Sequence, residues 1–222
     1  VRKYENTNVL AIDLSLSSLA YAKRKVSEFD YKNVNFLHSD ILNLEKLNKK
    51  FDVIESVGTL HHMENPIKGL EVLVKILKSN GILRLGLYSE IARQDILKLR
   101  EIISRNKFSD NIDDIRSFRK FIISENKSLN LYKSIFNKDF YTTSSVRDFL
   151  FHTKEHLYTI PRIMEILKTL NLNFLGFVFP NDIIKKEYSK MFPDDKINTN
   201  LKNWSQFELK YPNTFMSMYQ FW

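Results

Sequence analysis

Cysteine is absent from the 222-residue chain, and glycine and proline number only five each. The first absence excludes a disulfide scaffold, a thiolate zinc site, an iron–sulfur cluster and a thiol nucleophile. It also agrees with a reducing compartment, so a cytoplasmic location is expected. No apolar run of about 18 residues occurs, so no segment reads as a membrane-spanning helix. The start, Val1-Arg2-Lys3-Tyr4-Glu5, has no apolar core of a secretory signal. It also lacks Met, which points to residues lost ahead of Val1. Scarce Gly and Pro leave no linker, low-complexity stretch or internal repeat.

What is present describes a globular protein. The hydrophobic share of 43% and the charged share of 27% exclude a disordered or collagen-like chain. The length suits one domain, with at most a small appendage. The net charge is +8. Its lysines are scattered, with the densest groups at Lys23-Arg24-Lys25, Lys49-Lys50 and Lys185-Lys186. This reads as a solvated surface, and nucleic acid stays an open alternative partner.

The first 90 residues alternate short apolar runs with helical patterns. Val9-Leu10-Ala11-Ile12 reads as a strand closed by Asp13. Leu19, Ala22, Val26 and Phe29 recur at helical spacing over 17–29, with Ser15 or Ser17 as the cap. Residues 34–37 form a second strand ending at His38-Ser39-Asp40, and 51–57 a third. Asn65-Pro66 opens a helix with Leu70, Leu73, Val74 and Leu77 on one face, stopped by Asn80-Gly81. Residues 82–87 are the fourth strand. Strand–helix alternation of this kind predicts parallel βαβ units covered on both faces.

After Ser89 the pattern changes. An amphipathic helix spans 90–105, and 106–160 is mainly helical, around 112–123 and 145–154. A helix starts at Thr159-Ile160-Pro161 and runs to about Leu170. Residues 174–179 and 215–222 read as late strands. The helices over 90–160 predict a lid or a substrate-facing wall. The 13% aromatic content reads as core, with a hydrophobic substrate wall as the sharper alternative.

In an open parallel sheet, ligands bind beyond the carboxyl ends of the strands. Those ends are Asp13, Asp40, Glu55-Ser56 and Tyr88-Ser89. A strand-end carboxylate can accept hydrogen bonds from the vicinal hydroxyls of a ribose. A second one, on the neighbouring strand, can meet the exocyclic amine of an adenine. Each acid alone is as well explained by capping. Their succession on consecutive strand ends points to an adenosine site.

Here a family resemblance emerges. Val9-Leu10-Ala11-Ile12-Asp13-Leu14-Ser15 resembles the second-strand motif of class I S-adenosylmethionine-dependent methyltransferases. His38-Ser39-Asp40-Ile41 is similar to the third-strand motif. Residues 51–56, followed by Leu60-His61-His62-Met63-Glu64-Asn65-Pro66, resemble the fourth-strand motif and its continuation, and 81–89 resemble the fifth strand. The resemblance covers 8–90. It implies S-adenosyl-L-methionine as cofactor, with Asp13 and Leu14 at the ribose, Asp40 and Ile41 framing the adenine, and Glu55 and Ser56 on the cofactor side. Val146-Arg147-Asp148-Phe149-Leu150-Phe151-His152, Glu155-His156 and the closing stretch from Trp204 to Trp222 resemble a bacterial subgroup often fused to tetratricopeptide repeats. Such a repeat neighbour in a longer chain is a possible partner.

The departure from the family is its first motif, a strand and Gly-rich turn, which would fall ahead of residue 1. Gly58, Gly69, Gly81, Gly86 and Gly176 make no such loop. The family's implied strand order is 3-2-1-4-5-7-6. Without strand 1, strands 2 and 4 are expected to carry unpaired edges. The expected fold is therefore α/β, a Rossmann-like three-layer sandwich with a mostly parallel sheet and its first strand missing. It divides into a partial cofactor-binding part (1–90), a helical insertion or lid (91–160), and a C-terminal helix with last strands (161–222).

The reacting groups expected from this reading are His61, His62 and Tyr88. Either histidine could serve as base or as pocket wall, and Tyr88 ends the family's fifth strand. Adjacent histidines point in different directions, and His152-Thr-Lys-Glu155-His156 is not a His-Glu-x-x-His motif, so no metal is expected. Arg84 interrupts an apolar strand without an evident reason. The sequence thus supports methyl transfer to an unidentified acceptor within a longer chain. A non-catalytic methyltransferase-like binding module, a dehydrogenase and an RNA methyltransferase are the alternatives.

Overall fold

The apolar run before Asp13 forms β1 (Val9–Asp13), and β2 (Val34–His38) lies parallel beside it, in register from Val9 opposite Val34 to Asp13 opposite His38. Parallel neighbours need a crossover, and α1 (Leu16–Glu28) supplies it. Of the two serines read as caps, Ser15 takes the role: its hydroxyl accepts the Ser18 N–H at 3.2 Å. Asp40 then caps a 3₁₀ helix, Ile41–Leu47. The computed structural model describes residues 7–129, 140–151, 155–216 and 218–222. The chain forms two compact units, one of residues 1–54 and 67–83, the other of 55–66 and 84–222.

The next strand is β3 (Phe51–Val57), followed by the 3₁₀ turn Leu60–His62 and by α2 (Pro66–Ile76). The expected helix stop at Asn80-Gly81 is corrected. The chain leaves α2 at Ile76 and enters β4 (Leu77–Leu87) at once, so Asn80 and Gly81 lie inside a strand. The reason is pairing with β3, which meets the backbone groups that the helix would otherwise satisfy. Gly81 suits this because a Cβ there would come within 2.9 Å of Leu77 Cγ and 3.0 Å of the Asp52 carbonyl. Lys78 Nζ pairs with Asp52 at 2.7 Å, Arg84 with Glu55 at 3.2 Å, and Gly86 packs on Val57. Partner numbers rise together along both strands, so β3 and β4 are parallel.

In the second unit, β5 (Tyr219–Phe221) runs antiparallel to β4, with Leu85 opposite Phe221. The other edge of β5 meets 174–179, where the expected full strand reduces to a bridge between Phe177 and Phe221 and three backbone bonds. Gly176 interrupts it at φ +134°, outside strand geometry. The orders β1-β2 and β3-β4-β5 match stretches of the order implied by the resemblance. Among the described residues β1 pairs only with β2, and β3 only with β4.

Helices α3 (Gln94–Arg105), α4 (Ile112–Leu129) and α5 (Thr143–Val146), the last continued by a π-turn over Arg147–Phe151, build their own core from Leu99, Ile103, Ile115, Phe118, Phe140 and Val146. Then come α6 (Ile160–Thr169), capped by Thr159, and two helices that the sequence reading did not anticipate, α7 (Ile183–Met191) and α8 (Leu201–Lys210). Both are short, so few turns carry their periodic signal. Trp204 of α8 stacks on Tyr188 of α7 at 3.7 Å, and Phe177, Phe207, Phe215 and Tyr219 are buried around them. These aromatics form core, not a substrate wall.

Candidate active site

The first unit carries the predicted adenosine residues. Asp13 ends β1, and its Oδ1 accepts the Ser15 N–H at 2.8 Å. The Asp13 carbonyl accepts the Ser39 N–H at 3.3 Å, which ties the end of β1 to the turn holding Asp40. Asp40 Oδ1 accepts the Leu42 N–H at 2.8 Å. Each acid thus uses one oxygen locally and presents the other without a protein partner among the described residues. Between them the His38 Nε2 lies 2.8 Å from the Leu14 carbonyl, which fixes the backbone there. The Leu14 side chain is 66% exposed, and Ile41 is half-buried. Two open carboxylate oxygens beside apolar side chains fit a diol and a flat ring bearing an amine.

The second unit carries Glu55, Ser56, His61, His62 and Tyr88. Glu55 and Ser56 lie in the last residues of β3, which ends at Val57 as the sequence reading had it. Glu55 pairs with Arg84, whose other amine donates to Gln220 at 2.8 Å and whose guanidinium lies 5.7 Å from the Trp222 ring. This accounts for Arg84: it ties β3 and β4 to β5. Ser56 is buried, and its hydroxyl has no partner among the described residues.

His61 sits in the 3₁₀ turn after β3, fully buried. Its ring lies 3.8 Å from Tyr88 and 4.4 Å from His62. The Arg93 guanidinium lies 3.7 Å from the same Tyr88 ring. Two groups this close to one ring centre must occupy opposite faces, so Tyr88 is sandwiched. Burial first, then repulsion from His62 and Arg93 and more weakly from His156, holds the His61 pKa down at about 3. The Gly86 backbone works the other way without reaching hydrogen-bonding geometry, and among the described residues neither ring nitrogen is paired. At neutral pH His61 is therefore uncharged.

Sequence reading missed Arg93, Arg100 and the role of Glu155. Arg93 pairs with Glu155 at 2.8 Å with side chains only 5% and 3% exposed, and Arg100 pairs with the other Glu155 oxygen at 2.7 Å. Burial pushes the Arg93 pKa down, and Glu155 pushes it back up. An arginine just past a strand and a glutamate about sixty residues on share no sequence pattern; only the fold joins them. Residues 155–157, which hold Glu155 and His156, are not helical. His152 lies outside the described residues. The His156 N–H donates to the His61 carbonyl at 2.8 Å. Among the described residues no group of three or more His, Cys, Asp or Glu could hold a metal.

The structure thus brings Asp13, Leu14, Asp40 and Ile41 together in one unit, and His61, His62 and Tyr88 together in the other. These features, parallel strand ends with open acids and a βα pattern, describe an α/β Rossmann-like fold. The sequence profile described as a methyltransferase domain matches residues 2–160, and the chain belongs to that family. An uncharacterized protein of Synechococcus sp. (syc1184_c) is 26% identical over 179 residues, covering 78% of this chain and 43% of its own length. A second, RP028 of Rickettsia prowazekii, is 35% identical over 81 residues, covering 36% of this chain and 32% of its own. Among solved structures, PKMT2 from Rickettsia typhi shares the fold at a TM-score of 0.73 and 22% identity, over 99% of this chain and 44% of that one. PKMT2 has also been solved in complex with AdoHcy, at a TM-score of 0.70, 20% identity and 98% and 44% coverage. The chain spans less than half the length of these relatives.

Proposed function

We propose that the chain is the cofactor-binding domain of an S-adenosylmethionine-dependent methyltransferase and that it acts within a longer protein. The observation that carries this reading is the pair Asp13 and Asp40 on adjacent parallel strand ends, each with an open carboxylate oxygen. Asp13 accepts the ribose hydroxyls, Asp40 accepts the adenine amine, and Leu14 and Ile41 cover the apolar faces. The match of the methyltransferase profile and the AdoHcy complex of PKMT2 support the choice of ligand. When bound, this cofactor supplies a methyl group on a sulfonium for in-line displacement by a nucleophile of the acceptor.

The chain's own residues orient that nucleophile and exclude water from it. Neutral His61 is too weak a base at its depressed pKa to hold a proton near pH 7, so it serves as wall and hydrogen-bond acceptor. His62, set edge-on to Tyr88 at 5.8 Å between ring centres, completes the wall beside it. Calorimetric titration of the full-length protein tests the reading. Saturable binding of S-adenosylhomocysteine, with none of NAD, is expected. Preference for NAD rejects it.

A further inference from the structure

The site leaves one buried acid unused. Glu208 of α8 is 1% exposed. Its Oε1 accepts hydroxyl protons from Ser89 and Tyr219, each at 2.7 Å, and Oε2 lies 2.7 Å from the same tyrosine oxygen. Burial pushes the Glu208 pKa up, while both hydroxyls pull it back. Burial, then the nearby Glu208 carboxylate, raises that of Tyr219, and Glu90 adds weakly to this.

Ser89 is the link to the site. It follows Tyr88 directly and is fully buried. Having given its proton to Glu208, its oxygen accepts the Ala92 N–H at 3.1 Å. That bond closes the turn from Tyr88 to Arg93, and the Arg93 carbonyl then accepts the first amides of α3. The turn therefore sets the backbone from which the Arg93 guanidinium, paired with Glu155 at 2.8 Å, returns onto the Tyr88 ring at 3.7 Å. A carboxylate acceptor fixes the direction of the serine O–H, which in turn fixes the lone pair offered to Ala92.

We propose that Glu208 is a positioning residue: through Ser89 it sets the 89–92 turn that holds Arg93 on one face of Tyr88 while His61 occupies the other. The proposal rests on reading that stack as the reacting end of the site. Tyr219 is the milder probe: it shares the Glu208 carboxylate and its hydroxyl also interacts with Ser89, but it leaves the Ser89–Glu208 bond itself in place when removed.

The test uses the full-length protein and the variants Ser89→Ala, Glu208→Ala, Glu208→Gln and Tyr219→Phe. The readout is the pH midpoint of His61, taken from deuterium exchange at its ring C2 position by mass spectrometry. Losing the turn moves Arg93 and opens the stack, so Ser89→Ala and Glu208→Ala raise the midpoint by about one pH unit or more. Glu208→Gln keeps the Oε1 acceptor and leaves it unchanged, and Tyr219→Phe, which leaves the Ser89–Glu208 bond in place, moves it less than Ser89→Ala. Should Glu208→Ala fail to fold, Glu208→Leu, which keeps the bulk without an acceptor, takes its place. An unchanged midpoint in Ser89→Ala, or an equal shift in Tyr219→Phe, overturns the proposal. Failure of wild type to bind S-adenosylhomocysteine, with the midpoints moving as stated, rejects the functional reading but leaves the positioning role standing.

Discussion

The ring of Tyr88 lies 3.8 Å from that of His61, centre to centre, at an interplanar angle of 35°. Tyr88 closes the end of β4 and His61 the turn after β3, so two parallel strands deliver one aromatic pair. The contact keeps water from His61 and so keeps it neutral.

That neutrality has a signature in stability. The ordinary His pKa of 6.5 falls to about 3 in the folded chain. Between these values the unfolded chain takes up a proton that the folded chain refuses. The stability contribution is complete above pH 6.5 and is lost as pH falls toward 3. The slope reaches about 1.4 kcal/mol per pH unit, or about 2 kcal/mol between pH 6.5 and 5. Urea denaturation at these two pH values should show the loss in wild type and little of it in His61→Phe. Glu208 has the opposite sign, its raised pKa costing stability as pH rises, but it is common to both proteins. An equal loss in both would falsify the buried neutral state.

The Arg93–Glu155 pair predicts a large response to removal of one partner. Glu155→Gln leaves Arg93 and Arg100 without their shared counter-charge. Loss of one partner of a buried pair costs about 3–5 kcal/mol, because the other charge is stranded. Chemical denaturation measures it, and a cost below about 1 kcal/mol would place the pair at a solvated surface instead.

Asp13→Ala separates binding from stability. The side chain is exposed and makes one local bond, to the Ser15 amide. Hydrogen bonds to a charged group contribute about 1.5–3 kcal/mol, so affinity for S-adenosylhomocysteine should fall about ten- to a hundredfold. The thermal midpoint should barely move. Unaltered affinity in a calorimetric titration would remove Asp13 from the ribose site.

Two glycines respond differently to alanine. At Gly86 a Cβ would sit 2.6 Å from Val57 Cγ1 and 2.9 Å from its Cα, inside the strand pair. Overpacking of this kind costs about 1–3 kcal/mol. At Gly58 space is open, but φ is +80°, so only backbone strain of about 1 kcal/mol opposes the change. Gly86→Ala is therefore the more damaging variant in urea titration, and the reverse ranking would contradict the close packing of β4 on β3.

The sequence by itself determined the βα alternation of the first half, the strands ending at Asp13 and near Asp40, and the helix start at Thr159. These depend on local periodicity and on short side chains that satisfy nearby amides, both of which are written in consecutive residues. Tertiary structure decided the rest. Asn80-Gly81 reads as a helix stop, yet β3 pairs with that segment and makes it strand. Residues 174–179 read as a strand, yet only one bridge forms because Gly176 turns the chain aside. Arg84, Arg93, Glu155 and Glu208 acquire meaning only through partners some 30 to 140 residues away, such as Gln220 for Arg84 and Ser89 for Glu208. A buried charge must find its counter-charge wherever the fold brings one, and no local spacing records where that will be.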